Sequence, residues 1–172
     1  MTEKLNVQDF KARLSGIKLL SLDVDGVMTD GGLYYSDDGT QFRKFNVKDG
    51  LGIKLAIQAG LHMCIISASK QVSSLTRAEH LGIQHVRIGA DDKVRALVEI
   101  RAELGLELNE IAHIGDDLTD VALMAHVGLG ITVADAVDEA LDAAHYVTQK
   151  GGGKGAVREL CDLIVQAKAS NV

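Results

Sequence analysis

Leu19-Leu20-Ser21-Leu22-Asp23-Val24-Asp25-Gly26-Val27-Met28-Thr29-Asp30 is the stretch on which the fold turns. An apolar run that begins at Ile17 ends in two carboxylates one residue apart, then a glycine. A buried strand that delivers acids to its exposed C-terminal edge has this pattern. Residues two apart on a strand share a face, so extended geometry points Asp23 and Asp25 into the same space. Two like charges so close repel unless a cation or a shared proton offsets them, and a hard divalent ion with oxygen ligands is the simplest answer. Asp and Gly also favour turns for local reasons, so the stretch alone leaves a pair of solvated turn aspartates equally open.

On either side of it, strand and helix patterns alternate. Val7, Phe10 and Leu14 keep helical spacing ahead of the first strand. Leu33 to Phe45 places two aromatic-bearing segments around Asp38-Gly39, the short-range signal of a β-hairpin, and holds four of the six Phe and Tyr residues. An isolated hairpin is marginal in water, so one this aromatic is expected to pack against its own domain or another subunit. Asn46 to Gly50 leads into a helical pattern over 51–60 that glycine ends, and Leu61 to Ile66 is a second buried strand closing on Ser67-Ala68-Ser69-Lys70. A helix then runs to Leu81-Gly82, followed by a weaker strand over 83–88 and a helix opened by Asp91-Asp92-Lys93 and stopped by Gly105. Ile111 to Ile114 is a strand ending in Gly115-Asp116-Asp117-Leu118-Thr119-Asp120, a second acidic cluster at a strand-to-helix junction. A strand over 128–133, a short helix over 137–141, a short strand over 145–147, a glycine segment flexible by composition and a helix from Ala156 to about Ala167 complete the chain.

This alternation predicts an α/β fold: a Rossmann-like, mostly parallel sheet flanked by helices, with ligands bound beyond the carboxyl ends of its strands. A chain of 172 residues suits one well-buried domain, here 1–172, and an aromatic content of 3% demands an aliphatic core. Net charge is −6 with no long basic run, which excludes a nucleic-acid or anionic-membrane footprint. Met1 to Asn6 has no apolar leader, and no run approaches the ~18 residues of a spanning helix, so a cytoplasmic protein is expected. Cys64 and Cys161 lack ligand spacing and are expected as buried thiols, and the six histidines as structural or exposed.

Asp23-Val24-Asp25-Gly26, Ser67, Lys93 and the 115–120 cluster stand at successive strand ends, an order that resembles the four signature motifs of the haloacid dehalogenase superfamily of phosphotransferases. Within it, stretches 23–31, 46–50 and 152–159 resemble the 3-deoxy-D-manno-octulosonate 8-phosphate phosphatase family, a likeness that covers nearly the whole chain. The resemblance implies a haloacid dehalogenase-like core with a β-hairpin flap, about 32–47, and no cap domain. It implies a small phosphorylated sugar acid as substrate and Mg2+ as cofactor, held by Asp23, Asp25 through its carbonyl, and Asp116. Asp23 is then the nucleophile and Asp25 the acid and base, with Ser67 and Lys93 on the phosphate and Asp117 and Asp120 either behind the ligands or capping the helix.

Asn46, Val47, Lys48, Asp49, Gly50, Lys54 and Arg77 match positions that face the sugar acid in that family, with Lys48, Lys54 or Arg77 toward its carboxylate. A homotetramer joined through the hairpins is implied too, with the glycine segment 151–155, ahead of the C-terminal helix, reaching a neighbouring active site. The chain departs from the pattern at Ser67-Ala68-Ser69-Lys70, where the family has Gly-Arg after its Ser or Thr; Lys70 is the replacement charge nearest in sequence. A phosphatase for nine-carbon, sialic-acid-like 9-phosphates and a non-catalytic oligomerising module of nucleotide-sugar synthesis are the competing functions.

Overall fold

In the computed structural model, which describes Leu5 and residues 7–170, the strand β1 (Leu19–Leu22) lies at the middle of the sheet with all its residues buried. Met1–Lys4 and Asn6, on which the absence of a leader was read, lie outside the described residues. The sheet runs β5 (His85–Ile88), β4 (His62–Ser67), β1, β6 (Ile111–Gly115), β7 (Leu129–Thr132) and β8 (Tyr146–Val147), and every neighbouring pair is parallel. From β1 the chain steps outward through β4 to β5, then returns to β6 on the other side of β1. That reversal makes the edge beyond β1 and β6 a topological switch point, where open α/β sheets bind ligands.

Parallel strands need a crossover, and the helices supply a cover for each face. Leu20, Leu22, Ile65, Ala112 and Ile114 point to one side, against α1 (Val7–Gly16), α2 (Val47–Gln58), α3 (Val72–Leu81) and α7 (Ala156–Ala169). Leu19, Cys64, Ile66 and Ile111 point to the other, against α4 (Lys93–Leu104) and α5 (Leu118–His126). Burial of each such Leu or Ile stabilises the fold by about 1.5–3 kcal/mol. The core is aliphatic as composition demands, both cysteines are buried, and no helix among the described residues is long and apolar enough to cross a membrane.

Two expectations are corrected. The helix after the hairpin starts at Val47, not Leu51, because Asn46 caps it: its Oδ1 accepts from Lys48 N at 2.8 Å. The glycine segment is not free: Gly153 N donates to Val27 O at 3.0 Å and Gly152 N to Asp135 Oδ1 at 2.7 Å. A Cβ on Gly152 would stand 1.7 Å from Gly26 O, so the segment is pressed against this chain's own acid-bearing loop.

The hairpin forms, with β2 (Tyr34–Tyr35) and β3 (Gln41–Phe42) antiparallel and Gly39 turning at φ +83°. Its aromatics do not pack on their own domain: Tyr35 is 65% and Phe42 53% exposed, and Phe45 alone packs against the core. Between β1 and β4 stand this hairpin and α2, with no cap domain. A short helix, α6 (Asp138–Ala143), precedes β8.

Candidate active site

The strand pattern of β1 stops at Leu22, and the next residues coil into a tight turn. Val27, Met28 and Thr29 all donate their N–H to Val24 O, at 3.0–3.3 Å. Thr29, fully buried, ties the loop: its Oγ1 donates to Val24 O and accepts from Gly26 N and Gly31 N. Asp23 and Asp25 therefore reach one cleft through this turn, not through strand alternation. The cleft, of about 340 Å³, is lined by Asp23, Asp25, Gly26, Ser67, Ser69, Lys93, Asp116 and Asp117 among others. A larger hollow of about 510 Å³ between α1 and α7 has Phe10, Leu14, Tyr146 and Leu163 in its walls and no carboxylate, so it offers no comparable chemistry.

The chemical groups arrive from strand ends and from the start of α4. Ser67 closes β4 and is buried, with its Oγ accepting from Ser69 N at 3.2 Å. Lys93 opens α4 behind the cap of Asp92, whose Oδ1 accepts from Arg95 N at 2.9 Å. Asp116 follows β6, and Gly26 faces it: a Cβ there would fall 1.9 Å from Asp116 Oδ2, and its φ of +82° also suits glycine alone. Asp117 and Asp120 form the capping box of α5, as the helix-start position implies.

Lys93 Nζ lies 3.0 Å from Asp23 Oδ1 and donates to Asp120 Oδ1 at 2.7 Å, with all of these side chains at most 8% exposed. His113 Nε2 meets the same Asp120 oxygen at 3.0 Å and His113 Nδ1 meets Ser21 Oγ at 3.0 Å. Ser21 and His113 are register partners on β1 and β6, so the sheet itself aligns this relay. Burial holds His113 below its ordinary pKa; the neutral ring then donates through Nε2 and accepts from the serine through Nδ1. The histidine spacing gave no sign of this, because the contact needs the β1–β6 pairing.

Ligand oxygens of Asp23, Asp116 and Asp120 all lie within 4.8 Å of one another, with Lys93 as the neighbouring cation. Burial first, then the Asp120 charge, pushes Asp23 up to about 7. Asp116 also rises to about 7, from burial and then the charges of Asp23 and Asp120. Burial pushes Asp120 up as well, but His113 and Lys93 outweigh it and hold the carboxyl at about 2. Clustered hard oxygens with surplus negative charge are a donor set for a divalent cation.

Sequence reasoning also missed Arg43. It lies just beyond β3, and its Nε and Nη2 donate to Asp25 Oδ1 and Oδ2 at 2.5 and 2.9 Å, while Nη2 also reaches Ser69 Oγ at 3.0 Å. A guanidinium thus stands beside Ser69, where the motif lacks its own. Lys70, the replacement expected from sequence, is exposed with its stem against Gly89 and does not line the cleft.

Asn46, Val47, Lys48, Asp49, Gly50, Lys54 and Arg77 do not line this chain's cleft either. Asn46 Nδ2 binds Gly153 O, Arg77 binds Asn46 O and lies over the Phe45 ring, and buried Asp49 accepts from Arg158 N in the first turn of α7.

An open parallel sheet with a lysine-paired acidic centre at its switch point defines a hydrolase of the haloacid dehalogenase type. A family model described as haloacid dehalogenase-like hydrolase matches residues 65–160. The chain is 45% identical over 160 residues to the 3-deoxy-D-manno-octulosonate 8-phosphate phosphatase of Yersinia pestis, covering 93% of this chain and 86% of that protein. The phosphatase of the same name from Moraxella catarrhalis, solved in complex with magnesium ion, phosphate ion and a KDO molecule, matches with a TM-score of 0.93 and 39% identity over 96% of this chain and 95% of that one. The cobalt-bound enzyme of Haemophilus influenzae gives a TM-score of 0.88 and 36% identity, over 91% and 92% of the two chains. The chain belongs to the haloacid dehalogenase-like hydrolases and, within them, to the 3-deoxy-D-manno-octulosonate 8-phosphate phosphatase family. It is an enzyme, a phosphoric monoester hydrolase.

Proposed function

We propose that this enzyme hydrolyses 3-deoxy-D-manno-octulosonate 8-phosphate to the free sugar acid and phosphate, through a phosphorylated Asp23. The observation that carries the reading is the buried Asp23–Lys93 pair, 3.0 Å apart, in the cleft that Asp25, Ser67 and Asp116 also line. A phosphate monoester repels an anionic nucleophile, so attack by a carboxylate needs cations on both partners. Asp23, the Asp25 backbone carbonyl and Asp116 would hold a magnesium ion, which supplies that neutralising charge.

An Asp23 oxygen forms the bond to phosphorus as the ester oxygen leaves, and Asp25 gives that oxygen its proton. Asp25 then takes a proton from the water that attacks the acyl phosphate, which releases inorganic phosphate and restores Asp23. Ser67 donates to a phosphoryl oxygen, and Lys93 stays beside the transferring charge throughout. Asp120 holds Lys93 in line, and Asp117 caps the helix behind Asp116.

The chain works as one domain, 1–172, in the cytoplasm. Its hairpin assembles a homotetramer, which the exposed Leu33, Tyr34, Tyr35 and Phe42 support. The contacts proposed for Asn46, Val47, Lys48, Asp49, Gly50, Lys54 and Arg77 with the sugar acid depend on that assembly, since their own cleft does not include them.

Phosphate release from the eight-carbon acid 8-phosphate, nine-carbon acid 9-phosphates and hexose phosphates, with magnesium and with chelator, tests the reading. The expected result is magnesium-dependent preference for the eight-carbon acid, abolished in Asp23→Asn. Preference for a nine-carbon acid would replace the substrate, and no turnover of any ester would replace the enzyme with a binding module.

A further inference from the structure

Arg43 is held in an arrangement that the chain alone does not complete. Its side chain is 4% exposed, and its fork grips the Asp25 carboxylate through Nε and Nη2. Nη2 spends its second hydrogen on Ser69 Oγ. Nη1 is buried and has no hydrogen-bond partner among the described residues. A guanidinium has five donors and is always charged, so two donors shut away from both water and protein are costly. Such a group is stabilised by an acceptor that arrives from outside.

Position narrows what that acceptor is. The two cations that touch the paired aspartates serve different ones: Lys93 is with Asp23, and Arg43 is with Asp25. Asp23 faces the phosphorus and Asp25 the ester oxygen that departs, so Arg43 belongs to the leaving-group end of the cleft. Asp25 and Ser69 line that cleft, and Arg43 stands directly behind them, bound to both. The other cations near the hairpin and motif cannot substitute, since Lys44 is 71% exposed beside Asp30 and Lys70 lies along Gly89.

We propose that Arg43 is a specificity-determining residue that binds an anionic oxygen of the leaving group, a carboxylate, through its unused Nη1. The proposal rests on the reading of Asp25 as the acid on the leaving-group side. It assigns the recognition of an acidic sugar to the hairpin, and it makes the fork on Asp25 the device that fixes Arg43 in place before substrate arrives.

The test uses full-length, magnesium-loaded protein and two competitive probes: the free eight-carbon sugar acid and inorganic phosphate. In Arg43→Ala the inhibition constant of the free acid should rise about tenfold or more, as expected for loss of a charge-assisted hydrogen bond, while that of phosphate shifts much less. The kcat/KM ratio of the acid ester over a hexose phosphate should fall in step. Arg43→Lys, which keeps the charge and loses the fork, should lie between the two.

Phosphate binding reports an intact site, so a misfolded variant shows itself as loss of both probes. Free acid that binds the variant as well as wild type overturns the proposal, and so does a parallel weakening of both probes in a variant whose far-ultraviolet circular dichroism is that of wild type. If wild type favours the acid ester and the variant keeps the same preference, the proposal alone falls. If wild type shows no preference for the acid ester and no inhibition by free acid, both readings fall.

Discussion

Asp120 does not itself line the cleft, yet the cluster depends on it. One oxygen accepts from Lys93 at 2.7 Å and meets His113 at 3.0 Å, and the other accepts from the N–H groups of Asp116 and Asp117 at 3.3 and 3.4 Å. Its side chain is fully buried. Among the described residues, Asp120→Ala would leave Lys93 with Asp23 as its one remaining ion-pair partner and His113 Nε2 without an acceptor. Breaking a buried pair in this way costs about 3–5 kcal/mol, which urea unfolding at neutral pH should record. The pH dependence has a sign. Asp120 sits at about 2 when folded against an ordinary 3.8, so its contribution is present above 3.8 and lost as pH falls toward 2. The gap between wild type and Asp120→Ala should therefore close as pH drops from 4 to 2, and a gap constant over that range would show that Asp120 acts by packing alone.

At the scale of elements, the loop from Asp23 to Asp30 is held from behind by the turn that leads into α7. Gly153 N donates to Val27 O, Asn46 Nδ2 to Gly153 O, and Arg158 N to Asp49 Oδ1, so the loop, α2 and α7 share one set of bonds. Gly152→Ala would drive a Cβ into the Gly26 carbonyl, 1.7 Å away, and displace the turn that aims Asp25. Turnover should fall about 100-fold, the expected effect of a 1 Å misplacement, while far-ultraviolet circular dichroism stays that of wild type. Retained activity would mean that the loop holds its shape unaided.

The strand ends that bear Asp23, Ser67 and Asp116 were legible in sequence because apolar runs of strand length stop abruptly at polar residues. The first turn of α2 was not, because Gly50 argues against a helix by propensity, as Gly52 does in the next turn. They are there for space: Cβ atoms would fall 2.5 Å from Arg77 Nη2 and 2.7 Å from Arg158 Cδ. Arg43 and His113 were missed for a related reason, since each finds its partner only through tertiary pairing, of hairpin with cleft or of β1 with β6.

Across the whole molecule, the sheet gathers negative charge at its centre and leaves it to be balanced. Asp23 and Asp116 are both raised to about 7 in the metal-free chain, chiefly by burial. Groups raised on folding bind more protons in the native state, so they favour folding below their ordinary 3.8 and oppose it increasingly as pH rises toward 7. Metal-free protein should accordingly lose stability between about pH 4 and pH 7 from this pair. Magnesium held as proposed by Asp23 and Asp116 needs both carboxyls deprotonated, so its stabilising effect should grow over the same window. At a free concentration about 100 times its dissociation constant, linkage gives about 2.7 kcal/mol, or roughly 5–10 °C in Tm for a chain of this size. Thermal unfolding with magnesium and with chelator, at pH 5 and pH 8, measures that difference directly. The separation in Tm should be larger at pH 8. A separation that is equal at both values, or larger at pH 5, would mean that Asp23 and Asp116 are not the groups that hold the cation.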